Sequence, residues 1–128
     1  MTYVTRREEA LEHTQLFRDS GASMAIFCTA SHWNTEAILM AASRFAQKNN
    51  ISGIPVSISI TFNYPYMPQS KRVTYSEDPK LGFLSTMDHL RILCGDGSPY
   101  ENVTVIPHAD HTDPVKDKWV LTEGLPYL

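Results

Sequence analysis

Three short apolar runs, each separated from the next by a stretch long enough to hold a helix, constrain this chain more than any other feature. The runs are SMAIFCTA, IPVSISITF and VTVIP. Antiparallel strands can be joined by tight turns, whereas parallel strands need a crossover of a dozen or more residues. The order helix–βαβαβα–β therefore predicts an α/β chain built on a parallel sheet.

Thr5 followed by Glu8 has the form of a capping box, so a first helix is expected from there through REEALEHTQLFRDS. Gly21 is its natural stop, because glycine tolerates the left-handed conformation. SMAIFCTA reads as a buried strand. Asn34 is expected to cap a second helix whose apolar face is Ile38, Ala41, Ala42, Phe45 and Ala46. In IPVSISITF, Val56, Ile58 and Ile60 alternate with Ser57, Ser59 and Thr61, as a strand with one apolar face requires.

From Asn63 to Lys80 the chain is rich in Pro, Tyr and Ser, and a connection this long suggests a loop that covers a site. Pro79, then Leu84, Met87 and Leu90 with Gly95 as the stop, mark a third helix, and DGSPYEN reads as a turn. VTVIP is the third strand. Pro114 opens a fourth helix through Trp119 toward Gly124, and LPYL looks like the first residues of another strand.

Composition narrows the function. The chain has 128 residues, 42% of them apolar, and a net charge of -3, which fits one globular unit spanning 1–128. Basic residues cluster only at Arg6-Arg7 and Lys71-Arg72, so no nucleic-acid footprint is expected. No stretch approaches the roughly 20 apolar residues of a membrane span. The opening MTYVTRREEALEH turns charged where a signal peptide turns apolar, so a cytoplasmic location is expected. Cys28 and Cys94 lack a CxxC spacing and read as two buried thiols in a reducing compartment.

The chemistry concentrates in VTVIPHADHTDP, where two histidines and two aspartates follow an apolar strand. In parallel α/β folds the loops beyond the carboxyl ends of the strands build the active site. Neutral imidazole is a good zinc ligand, and a carboxylate beside it can carry a proton. The alternative is a solvated turn in which Asp113 caps the helix that starts at Pro114. A catalytic zinc takes three protein ligands, and the other ligands are not evident in this chain.

The succession SMAIFCTASHWNTEAILMAA, IPVSISIT, VTVIPHADHTDP and WVLTEGLPYL resembles the N-terminal half of class II, zinc-dependent fructose-bisphosphate aldolases, from roughly Arg7 to the C-terminus. Its most specific part is the strand ending in His-x-Asp-His. The resemblance implies a partial (β/α)8 TIM barrel: three strand–helix units and the start of a fourth strand. It implies Zn2+ as cofactor, a sugar-phosphate substrate and a homodimer for the complete protein. His111 would be a zinc ligand, and Asp110 the group that moves the proton of the substrate C4 hydroxyl. His108 would shape the site, and Thr61 and Asn34 would stand near the substrate. Two more zinc histidines, the carboxylate that deprotonates the ketone and the phosphate-binding loops would come from beyond this chain, which alone would bind zinc weakly and be inactive. The chain departs from the family at the end of its first strand, where FCTAS replaces an expected asparagine.

Two other readings stand beside this one. A metallo-hydrolase would use the HADH cluster, although the His-x-His-x-Asp-His signature of such enzymes loses its first histidine to Ile106 here. A non-catalytic half-barrel would instead pair with itself or with a partner.

Overall fold

The computed structural model describes residues 3–124 and Pro126. Its elements run α1 (Arg7–Ser20), β1 (Ile26–Cys28), α2 (His32–Lys48), β2 (Ile54–Ile60), α3 (Gln69–Val73), α4 (Pro79–Leu93) and β3 (Val103–Ala109). A short π-helical turn, Val120–Gly124, follows. The fold is α/β, and its three strands are parallel in the order β1-β2-β3.

Register decides which side chains share a face. Val56 stands opposite Val105 and Ile54 opposite Val103, while Ser57 faces Ile106 and Ser59 faces His108. One face is thus apolar, and both crossover helices supply its cover. Val56, Ile58, Ile60, Val103 and Val105 join Leu39 of α2 and Phe83, Met87 and Leu90 of α4 in one core. The other face carries Cys28, Ser57, Ser59 and His108, and Ser57 Oγ donates to the Ile106 carbonyl at 3.0 Å.

Tyr3 forms a parallel bridge with Val105, on the edge of β3 away from β2, and the Val4 N–H donates to the Val105 carbonyl at 2.9 Å. The Tyr3 hydroxyl reaches Met87 Sδ at 3.2 Å, and the Arg91 guanidinium lies over its ring. Where α3 crosses α4, a Cβ on Gly82 would meet the Ser70 carbonyl oxygen at 1.8 Å. Only glycine permits that approach.

Several expectations hold. Gly21 ends α1 at φ 66°, Pro79 opens α4 and the alternation in β2 has its apolar side in the core. Others shift. Thr5 makes no cap: Arg6 is the N-cap, and Glu9 rather than Glu8 reaches back to the backbone of Thr5 and Arg6. Asn34 is not the cap of α2. Ser31 is, accepting from the Asn34 N–H at 3.2 Å.

The buried residues of α2 are Thr35, Leu39, Ser43 and Ala46; of the expected stripe Ala46 is buried and Ile38 and Ala42 pack against the core, while Ala41 and Phe45 are exposed. β1 is a strand but is exposed along its length, because among the described residues nothing pairs with its outer edge and α1 buries no residue. Gly95 lies one residue past the Cys94 cap of α4, outside the left-handed region. The expected fourth helix begins later than Pro114: residues 114–117 are turns, helical geometry runs from Lys118 through the π-helical segment to Gly124, and three residues of the expected strand LPYL lie outside the described residues.

Candidate functional site

β3 delivers its polar residues to the carboxyl end of the sheet. The Asp110 N–H donates to the Ile60 carbonyl at 3.0 Å, so the ladder runs one residue past the strand and fixes the backbone under the carboxylate. Asp110 Oδ1 accepts from the His111 N–H at 2.9 Å. Ser59 Oγ lies 3.4 Å from Oδ2. Cys28 Sγ is in turn 3.6 Å from Ser59 Oγ, so the three strands contribute to one polar row across their ends.

His111 turns the chain out of the sheet in the left-handed region, at φ 47°. Its Nε2 is 4.0 Å from Asp110 Oδ2, and half of its side chain is exposed. The imidazole lies flat on Tyr64, with centroids 4.1 Å apart and planes 5° from parallel, and Tyr66 meets Tyr64 edge-on. The loop after β2 thus reaches the end of β3 through Tyr64, and α3 interrupts the loop expected from Asn63 to Lys80.

A buried carboxylate ties these two loops together. Asp117 accepts from Asn63 Nδ2 at 2.6 Å and from the Asp113 N–H at 3.0 Å. Asp113 caps the turn after Pro114 by accepting from the N–H groups of Val115 and Lys116. Those two hydrogen bonds hold its carboxyl below the usual range. The local-turn reading of Asp113 is thus correct for that residue, while Asp110 and His111 stay outside the cap.

The other expected site residues divide. His108 shares the polar face with Ser59 and is half-buried. Thr61 is buried, and its hydroxyl donates to the Met67 carbonyl and accepts from the Gln69 N–H at 3.0 Å. The Gln69 side chain then accepts from the Thr61 N–H and donates to the Thr29 carbonyl, which ties the loop to the end of β1. Asn34 sits at the start of α2, and its Oδ1 accepts from Ser31 Oγ at 2.8 Å. The structure brings Asp110, His111 and Ser59 together, and directs Thr61 and Asn34 into local hydrogen bonds.

Ser59, Tyr64 and Asp117 were not singled out from sequence as site residues. Ser59 was readable in principle, since a period of two puts it on the face of β2 away from the core. Among the described residues, no three His, Cys, Asp or Glu side chains converge in a group that holds a metal ion. No protein-family model matches this chain, and no curated protein or solved structure does.

Proposed function

We propose that this chain is the N-terminal part of a class II aldolase barrel that cleaves and forms a ketose bisphosphate, such as fructose 1,6-bisphosphate, with zinc in the assembled enzyme. Two points of architecture support the barrel: sequential parallel winding of the strands and both crossover helices on one face of the sheet. The observation that carries the function is the Asp110–His111 pair at the end of β3, under the Tyr64 ring.

The donor set of this chain does not fit a zinc site by itself. His111 supplies one imidazole, a catalytic zinc takes three protein ligands, and among the described residues no three candidate ligands converge; in the proposed enzyme the others come from the rest of the barrel. Asp110 is the group whose chemistry this chain does contain. In cleavage its carboxylate removes the proton of the C4 hydroxyl as the C3–C4 bond breaks and the electron pair passes to the ketone fragment. In condensation it returns that proton. Ser59 and the His111 N–H hold the carboxylate, and the Tyr64 ring stacks on the imidazole beside it. We assign the assembled enzyme to sugar-phosphate breakdown in the cytoplasm, as a homodimer.

The test is made in the protein that includes the rest of the barrel. Asp110→Ala is expected to abolish turnover and leave zinc bound, while His111→Ala loses both. Near-normal cleavage by Asp110→Ala overturns the role given to it. The chain alone is expected to show no cleavage.

One observation favours a second reading, a self-associating half-barrel. Among the described residues the outer edge of β1 has no strand partner, and beside it Phe17, Met24, Phe27, Ile38 and Phe45 line an apolar groove of about 690 Å³. Sedimentation across a concentration series separates the two. A cooperative dimer supports self-association, and a monomer that gains activity only in the complete protein supports the aldolase.

A further inference from the structure

The connection from β1 to α2 carries a second pair of histidines, unrelated to the pair on β3. His32, the first residue of α2, stacks on His89 in the last half of α4, with centroids 4.0 Å apart and planes 10° from parallel. The Nε2 atoms of both rings are sealed from solvent and have no hydrogen-bond partner. An unpartnered, buried ring nitrogen suits a neutral imidazole, because a proton added there becomes a cationic donor with no acceptor. A cation formed on His89 would also face the N-terminal turn of α2, where a helix disfavours positive charge.

We infer that the His32–His89 stack is a proton-released latch that fastens the first turn of α2, and the Thr29–Ser31 connection leaving β1, to α4. It is closed while the His89 ring is neutral and opens when that ring takes a proton. The segment it releases borders the polar row, since the Thr29 carbonyl accepts from Gln69 and the Thr29 hydroxyl accepts from Thr35. A drop in pH would then loosen one wall of the strand ends without touching Asp110.

The charges acting on His89 come from α2. Burial pushes His89 below the ordinary imidazole value, the His32 ring across the stack pushes it the same way, and Glu36 and a hydrogen bond to the His32 backbone pull it back. Glu36 is partly occupied, since Tyr100 Oη donates to it at 2.8 Å. On α4 itself Asp88 is bridged to Arg91 at 3.1 Å. Lys71 and Arg72 lie in the last turn of α3, which packs on the same helix near Gly82.

The sign follows. A base whose folded pKa is depressed contributes stability that is complete above its unfolded value of 6.5 and is lost as pH falls through the folded value. The decisive experiment compares thermal melts of the wild-type chain with His89→Phe and His32→Phe, between about pH 7.5 and about pH 5.5, the range over which histidine normally titrates. Phenylalanine keeps a ring in the stack and removes the titrating nitrogens.

The wild type is expected to lose several degrees of melting temperature over that interval, and each variant to lose clearly less. Equal losses in all three proteins overturn the latch, because His13, His108 and His111 remain in every one. If a variant does not fold, the Hε1 proton resonances of the wild type decide. A His89 midpoint below 6.5 supports the latch, and one at or above 6.5 overturns it.

Discussion

The two sides of this molecule are built to different standards. On one, β2 is buried from Val56 onward, β3 lies beside it, and Phe83, Met87 and Leu90 of α4 are fully covered. On the other, α1 buries no residue, β1 is exposed along its three residues, and Leu16, Ile26 and Phe45 are at least half exposed. Both sides are amphipathic in sequence. The difference is partnership: among the described residues β2 has a strand on each side and two helices on its apolar face, whereas β1 has one strand neighbour and an open edge. An apolar pattern says that a surface will seek cover, and the fold decides whether cover is present.

Chemistry at the two cysteines gives the widest contrast. Cys94 is buried, and burial pushes its thiol up to about 12. Cys28 is exposed on β1. Reaction rate follows the thiolate fraction and access, so iodoacetamide under native conditions is expected to modify Cys28 orders of magnitude faster than Cys94. Comparable rates, read by mass spectrometry of peptides, would break the comparison.

Stability changes sharpen it further. Phe83→Ala empties a site packed against Phe62 and Trp119 and is expected to cost about 3–5 kcal/mol in urea unfolding. Asp117→Ala leaves Asn63 Nδ2 and the Asp113 N–H without their acceptor inside the well-packed side, at an expected cost of about 1–3 kcal/mol. Leu16→Ala, on the exposed side, is expected to change stability by no more than about 0.5 kcal/mol. A loss at Leu16 as large as that at Phe83 would mean that α1 has a partner in solution.

How far the sequence could be read depends on how local the cause is. The turn of β2 into strand, the Gly21 stop and the Pro79 start rest on residues adjacent in the chain, and each is where it was expected. The face of α2 was misjudged because the helix has two apolar stripes. Ile38, Ala41, Ala42, Phe45 and Ala46 form the more conspicuous one, and of these Ala41 and Phe45 are left exposed, whereas Leu39, outside that stripe, is the α2 residue fully buried in the core cluster. Periodicity has no means of choosing between stripes until a neighbouring strand is in position.

The site shows the same division. His108, Asp110 and His111 were legible as a strand end. The Tyr64 stack and the Asn63–Asp117 hydrogen bond were not, since each joins residues more than forty positions apart in sequence. Thr61 drew notice for its position at the end of β2, yet its hydroxyl serves the turn into α3.

The bridge between Tyr3 and Val105 bears on the order in which this protein can take shape. The segment around Tyr3 leaves the ribosome long before β3 is translated, so its strand partner does not exist while α1, β1 and α2 emerge. Until then its apolar ring has no Met87 to rest on and must wait in solvent or in the grip of a chaperone. Closure of the sheet edge is therefore a late, long-range event, and a pause in translation before Val103 would prolong the interval in which the nascent chain is most adhesive.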